Sequence, residues 1–591
     1  MALKSIRTLL LSLIAVIVFS IGHATWSHAD DSPTDASPAV EAADFKDDFD
    51  DSEFPLSEPN YTAKRVRDFR PFADALNHFS SERRRVLDQQ LLEATVPEMQ
   101  QLIACGHLTA EELALYYLDR IQRYDVDKFN AVMELNPDAL DLARRRDKER
   151  AAGQSRGALH GIPVLLKDNI ATGDQLHTTA GAYALKDWQA NRDAFLVKQL
   201  RDAGAVILGK TNLSEWANYL APLIPNGFST LGGQTRHPYG SFDPFGSSTG
   251  SAVAVAANFI AVSVGSETQG SILFPAQSNG IVGLKTSRGL VSRDYVIPLV
   301  DWMDVPGPMG RTITDVATLL TAMTGVDTND AATTDAAALA GTDFTQFLSL
   351  EAARRRRVGV PVLGEANLRE LLEEDPSQES IEFLRQLVEA SQQHAQTLTA
   401  PFRDMGIEIV AVEPTQIPTA PDANSVLEHG FKASLNAFLA TTPGISVDSL
   451  DTIISLNNAD PSNRIPYGQG YLEGAEHTEI DAETYATLRE TNQSTAQSGL
   501  NQVFETTGID VLISDGQAYA AAGFPALTVP SGLSPEGQPQ GLTLIGKFLG
   551  EPDLLAVGYA YEAATQARVA PDLEAAIATF ASANQATPGT N

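Results

Sequence analysis

The sequence predicts an α/β fold: a central mixed β-sheet covered by helices on both faces, with a mostly helical insertion. Three observations lead there. Short β-rich runs recur along the chain, from Ile162-Pro-Val-Leu-Leu166 to Ala526-Leu-Thr-Val529. Helical patterns such as residues 193–203 and 314–323 lie between them, and strands alternating with helices build a sheet with both faces covered. Residues 421–498 carry a mostly helical pattern, which places an insertion on the substrate side before the last strands.

The elements follow in order. Lys4 and Arg7 precede an apolar stretch from Leu9 to Ile21, and Ser27-His-Ala29 supplies small residues at −3 and −1. That is the pattern of a secretory signal peptide over residues 1–29, cleaved after Ala29. The apolar stretch is short for a membrane span, so the expectation is a secreted or periplasmic protein with no stable membrane insertion after cleavage. Residues 30–60 are acidic and poor in aliphatics (Asp47-Asp-Phe-Asp-Asp51), the composition of a disordered linker. Residues 61–90 read as an N-terminal helical segment, amphipathic over 64–92, with Arg83-Arg-Arg85 on its solvated face. Residues 91–580 form the main domain. It opens with two capping boxes, Thr95-Val-Pro-Glu98 and Thr109-Ala-Glu-Glu112, each starting a helix. The other predicted strands are Ala205-Val-Ile-Leu208, Ile260-Ala-Val-Ser-Val264, Val358-Gly-Val-Pro-Val362, Ile407-Glu-Ile-Val410 and Val511-Leu-Ile513. Residues 581–591, in a tail rich in Ala and Thr, are expected to be flexible.

Charge and cysteine count exclude several classes. The formal net charge is −33, and loss of residues 1–29 removes two positive charges, giving −35. Such a surface repels phosphate backbones, so no nucleic-acid partner is expected. Cys105 is the sole cysteine, so no intramolecular disulfide can form. Neither paired cysteines nor a His-x-x-x-His pattern occurs, and no metal or other cofactor is predicted.

Three local patterns compete for the chemistry. Gly204-Ala-Val-Ile-Leu-Gly-Lys-Thr211 matches the phosphate-binding loop letter for letter. That loop needs small flexible residues between its glycines, whereas residues 205–208 are themselves a strand. Gly246-Ser-Ser-Thr-Gly250 matches the nucleophile elbow, which requires a buried strand just before it. The preceding Tyr239-Gly-Ser-Phe-Asp-Pro-Phe245 is a turn, and Pro244 forbids a central strand. The third pattern uses lysine. In Gly161-Ile-Pro-Val-Leu-Leu-Lys167 a strand leads into a lysine, which is either a solvated strand-end residue or a desolvated amine usable as a base. Two serine-rich turns, 243–251 and 265–271, flank the apolar run 252–264, and serine–lysine pairs are an established alternative to Ser-His-Asp.

These residues carry a family resemblance. Gly246-Ser-Ser-Thr-Gly-Ser251, an Ala-rich segment and Gly265-Ser-Glu-Thr-Gln-Gly-Ser-Ile272 resemble the hallmark of the amidase signature family. Ser247 precedes Ser271 by 24 positions, the family's spacing. The likeness continues through Leu159-His-Gly-Ile-Pro-Val-Leu-Leu-Lys-Asp-Asn169, Gly209-Lys-Thr-Asn-Leu-Ser-Glu-Trp-Ala-Asn218, Pro306-Gly-Pro-Met-Gly-Arg311 and Gly523-Phe-Pro-Ala-Leu-Thr-Val-Pro530, spanning roughly residues 91–571. Many members have a glycine where this chain has Gln269 and an arginine where it has Leu273. Both replacements are similar to the peptide-amidase-like bacterial branch.

The resemblance implies an amidase domain over residues 91–580 and a Ser-Ser-Lys relay acting through an acyl-enzyme. Ser271 would be the nucleophile. Ser247, in a cis peptide in this family, would pass its proton to Lys167. Backbone N–H groups of Thr268, Gln269, Gly270 and Ser271 would hold the oxyanion, each worth on the order of 3 kcal/mol. Gln269 is tolerable there if its φ stays negative. Gly246, Ser248 and Gly250 would support the first turn. The implied substrate is a small-molecule or peptide amide: a peptide C-terminal amide, an aryl acylamide or a small aliphatic amide. Two other functions share features with this one. An amidotransferase A subunit has the same scaffold but works in the cytosol with partner subunits and tRNA, which the export signal and the negative charge oppose. A non-catalytic amide-binding module is disfavoured by the presence of all three relay residues. Oligomeric state is not encoded in any pattern found.

Overall fold

The computed structural model describes residues 58–364, 378–419 and 424–586. The expected signal peptide at 1–29 and residues 30–57 of the expected linker lie outside them. Thirteen strands are described: β1 (Val132–Leu135), β2 (Pro163–Lys167), β3 (Val206–Thr211), β4 (Phe228–Ser229), β5 (Gly233–Gln234), β6 (Val262–Glu267), β7 (Val282–Lys285), β8 (Val305–Gly310), β9 (Arg357–Pro361), β10 (Glu408–Val412), β11 (Val511–Ile513), β12 (Ala526–Leu533) and β13 (Pro539–Gly546). Eleven of them form one sheet in the order β1-β3-β2-β6-β8-β7-β12-β13-β11-β9-β10, while β4 and β5 pair separately. The sheet is mixed. β3, β2 and β6 run parallel, as do β11, β9 and β10, and antiparallel pairs join the two groups.

Side-chain alternation along the strands explains why both faces are covered. Successive residues of a strand point to opposite faces. Ile513, Leu527 and Leu544 join one buried apolar cluster, while their chain neighbours Leu512, Ala526 and Ile545 join the other. The first cluster takes in the helices Ala110–Arg120, Thr249–Ala256, Ile313–Met323 and Glu551–Thr565. The second takes in the insertion. The α/β expectation therefore holds. So does the helical character of the insertion, whose described helices are Asn424–Thr441, Leu450–Asn458, Pro461–Arg464, Gly470–Glu476 and Ala482–Thr507; the last runs beyond residue 498. Among the described residues no helix is long and apolar enough to cross a membrane.

Both capping boxes form, with Thr95 and Thr109 accepting from the N–H groups of Glu98 and Glu112. Replacing Thr109 by Ala should cost about 1 kcal/mol, read as a lower denaturant midpoint at unchanged slope.

Several expectations need correction. Residues 64–69 are irregular, and the helical pattern begins only at Arg70–Phe72, followed by Ala73–His78 and Ser81–Leu91. The cause is ion pairing: Arg67 reaches the buried carboxylate of Asp125, and Arg65 reaches Glu134. Arg83 and Arg84 do not lie on a merely solvated face, because they pair with Glu112 and Asp119. Glu58 ends the expected disordered linker early by binding Lys64 and Asn130. At the other end the helix Leu573–Ala586 continues through the first six residues of the expected flexible tail; residues 587–591 lie outside the description.

Strands β1, β4, β5, β7, β8 and β13 are absent from the sequence expectation. β8 is the instructive case, since Val305-Pro-Gly-Pro-Met-Gly310 has turn composition. It pairs with β6 along its length, but its ladder with β7 covers only Met309 and Gly310. Pro306 and Pro308 thus lie where no second neighbour demands an N–H donor.

Candidate active site

Strands β2 and β6 are parallel neighbours, so Lys167, last in β2, and Glu267, last in β6, reach the same sheet edge. Sites in α/β sheets gather at such carboxyl ends. The turn after β6 carries residues 268–271, and the first serine turn leads into the helix Thr249–Ala256 behind it.

The structure brings Lys167 and Ser247 together. Lys167 Nζ lies 2.7 Å from Ser247 Oγ, 2.9 Å from Ser248 Oγ and 3.0 Å from the Ser266 carbonyl. Lys167, Ser247 and Ser248 are fully buried. Burial pushes the Lys167 ammonium down to about 7, against the opposing pull of the Asp304 and Glu267 carboxylates. The Gly246–Ser247 peptide is cis. Ser248 joins the two turns: its N–H donates to the Ser271 carbonyl at 3.0 Å. Gly250 is fixed by close approach, because a Cβ there would lie 2.4 Å from the Ala131 carbonyl oxygen.

Ser271 is 7 % exposed, unlike the sealed Lys167 and Ser247, so of the three it is the one open to solvent. Among the described residues its hydroxyl makes no hydrogen bond, and no direct Ser247–Ser271 hydroxyl bond is formed. The N–H groups of Thr268, Gln269 and Ser271 likewise have no partner among the described hydrogen bonds. Gly270 departs from expectation: its N–H donates to Glu267 Oε1 at 2.7 Å, so it is not free to bind an oxyanion. Its φ of +78° is the left-handed value that favours glycine. Gln269 does not adopt positive φ, and its side-chain amide donates to Gln517 Oε1.

Other groups at the site were not assigned from sequence. Asp304 accepts from the Leu299 and Val300 N–H groups at 2.7 and 3.0 Å and from the Thr268 hydroxyl. Burial pushes its carboxyl up to about 6. Asn169 donates to Ser266 Oγ at 2.9 Å. A cavity of about 200 Å³ opens beside the turn, with Asn169, Ser266, Thr268 and Asp304 in its wall. Glu267 was part of the quoted motif, but its Oε1 accepts from the Tyr519 hydroxyl, a contact that no local spacing reveals. The discarded phosphate-loop pattern stays discarded: Lys210 is buried within β3 and donates to the Ile170 carbonyl and Thr178 hydroxyl.

Comparison with known proteins places the chain in a family. The family model described as Amidase matches residues 112–514, and the chain belongs to that family: it is an amidase. Within the family it resembles the peptide-amidase-like branch. The solved peptide amidase from Stenotrophomonas maltophilia is 38% identical, with a TM-score of 0.72, covering 82% of this chain and 99% of that one. A protein described as a probable amidase in Arabidopsis thaliana is 36% identical over 489 residues, 81% of this chain and 91% of the relative. The A subunit of the glutamyl-tRNA(Gln) amidotransferase of Microcystis aeruginosa is also similar, 31% identical over 80% of this chain and 97% of the relative.

Proposed function

We propose that this amidase is a serine hydrolase in which Ser271 attacks the amide carbonyl, Ser247 relays the proton and Lys167 receives it. The observation that carries the reading is the sealed Lys167 amine, 2.7 Å from Ser247 Oγ. Valence supports it. A neutral amine has two N–H donors and one lone pair, and Lys167 has three partners. The Ser266 carbonyl can only accept, and the Ser248 hydroxyl can accept the second N–H while donating to that same carbonyl at 3.0 Å. The lone pair then faces Ser247.

The steps balance on these groups. Ser271 Oγ forms the C–O bond while its proton passes to Ser247 and that of Ser247 to Lys167. The negative charge on the carbonyl oxygen is met by the N–H groups of Thr268, Gln269 and Ser271, with Gly270 otherwise engaged. The proton returns through Ser247 to the leaving nitrogen as the C–N bond breaks. Water repeats the sequence on the acyl-enzyme and releases the acid.

We further propose C-terminal primary amides of peptides as the substrate class, supported by the 38% identity to a peptide amidase. Purified protein should release ammonia from a peptide amide faster than it releases amine from an aryl acylamide or ammonia from a small aliphatic amide. The reverse ranking would overturn the substrate class and leave the amidase assignment standing. Turnover by the chain alone also separates this reading from an amidotransferase subunit, which needs partners. Export to the periplasm or medium is proposed from Lys4, Arg7, the 9–21 stretch and Ala29; a mature N-terminus other than Asp30 would overturn that cleavage position.

A further inference from the structure

Glu267 is 1 % exposed and forms no ion pair among the described residues. An ionised carboxylate has about four lone-pair positions, and four donors converge on this one. Oε1 accepts from the Gly270 N–H at 2.7 Å and the Tyr519 hydroxyl at 2.8 Å. Oε2 accepts from the Ile272 and Leu273 N–H groups at 2.8 and 3.1 Å. The donors lie on both sides of Ser271 and leave out Ser271 itself. With those three N–H groups engaged, the Thr268, Gln269 and Ser271 N–H groups are the ones in this turn with no partner among the described hydrogen bonds. A second link comes from the same distant segment, where Gln517 accepts from the Gln269 side chain. Burying a lone carboxylate is costly, and here three of the four hydrogen bonds it accepts come from one turn and the fourth from Tyr519.

We infer that Glu267, braced by Tyr519, is a positioning residue for the amidase reaction, holding the turn so that the N–H groups of Thr268, Gln269 and Ser271 face the oxyanion. The inference rests on Ser271 being the nucleophile and Lys167 the base. The carboxylate has a second effect, through charge. The acids acting on Lys167 are Asp304 and Glu267, and both favour its ammonium form. Facing Glu267 in turn are Tyr519 and Lys285, whose Nζ lies 5.8 Å from the Tyr519 ring centre and donates to the Phe524 carbonyl. Removing the Glu267 charge therefore makes the Lys167 ammonium less favourable, and the base form persists to lower pH.

The test uses the full-length enzyme, with Glu267→Gln and Tyr519→Phe measured by steady-state kinetics, melting and labelling with a serine-directed phosphonate. Glu267→Gln should lower kcat roughly 100-fold, the scale of a lost oxyanion contact, with KM changed by less than about threefold. Phosphonate labelling should slow in parallel, and the acid limb of the kcat/KM profile should move to lower pH. Tyr519→Phe should lower kcat about tenfold and leave that limb in place, since the charge remains. Near-normal kcat in Glu267→Gln overturns the inference, as does a loss accompanied by a lower melting temperature and an unmoved acid limb. If Glu267→Gln does not fold, Tyr519→Phe decides: unchanged kcat overturns the inference. A Ser271→Ala control keeps the two readings apart. Turnover surviving in that variant defeats the nucleophile assignment, whereas a silent Ser271→Ala beside a normal Glu267→Gln defeats the positioning role alone.

Discussion

Ser271→Ala is expected to fold normally and lose turnover by at least about ten-thousand-fold, the scale on which removal of a catalytic serine acts. The stability half of that expectation follows from the surroundings. The Ser271 hydroxyl makes no hydrogen bond among the described residues, so its removal strands no buried partner. Its backbone carbonyl still accepts from the Ser248 N–H. Kinetics and phosphonate labelling should fail together while the melting temperature stays within a degree or two. Labelling that persists in the alanine variant would place the nucleophile elsewhere.

Lys167→Arg should be nearly as damaging, because a guanidinium cannot be deprotonated at working pH and does not fit where a single amine sits among three oxygens. In the proposed relay the base is the neutral amine, so activity should rise as pH passes through about 7, where burial has brought this lysine. A pH optimum near 5, or near-normal rates with arginine, would remove Lys167 from the mechanism. Stability offers an independent check. Between about pH 7 and 10.5 the unfolded chain binds a proton at Lys167 that the native state does not. Native stability attributable to this group therefore rises with pH across that window, by up to about 5 kcal/mol if the whole shift is expressed. Below about pH 7 both states are protonated and the burden of the buried ammonium is constant. Lys167→Met should lack this rise, and the difference between the two denaturant midpoints should change sharply from pH 7 to 10.

Much of this site was legible because its parts are local in sequence. Gly246-Ser-Ser-Thr-Gly250 and Glu267-Thr-Gln-Gly-Ser271 are short turns whose composition advertises their use, and Lys167 stands at the end of an apolar run. Strands with aliphatic runs, such as β2 and β11, were visible for the same reason. The rest depends on partners far along the chain. Glu267 looked like one more letter of a motif until Tyr519 met it, and Gly270 counted as an oxyanion donor until that carboxylate claimed its N–H. β8 hid behind two prolines that only sheet topology makes harmless. Residues 64–69 carry helical periodicity, but Arg65 and Arg67 pair with Glu134 and Asp125, partners that no local pattern reveals.

Strand order has a consequence for how the protein is made. Lys167, Ser247 and Ser271 all precede β8, and β1-β3-β2-β6-β8-β7 form a continuous half-sheet from the first part of the chain. β7 is then an open edge until β12 arrives more than 200 residues later. A folding intermediate with only this half-sheet formed would thus bring Lys167, Ser247 and Ser271 together beside an unpaired strand, a template for mispairing. It would still lack the Tyr519 brace, 252 positions beyond Glu267. Folding order would then act as a timer: hydrolysis waits for the closing strands, and so does protection of the sheet from pairing with another chain.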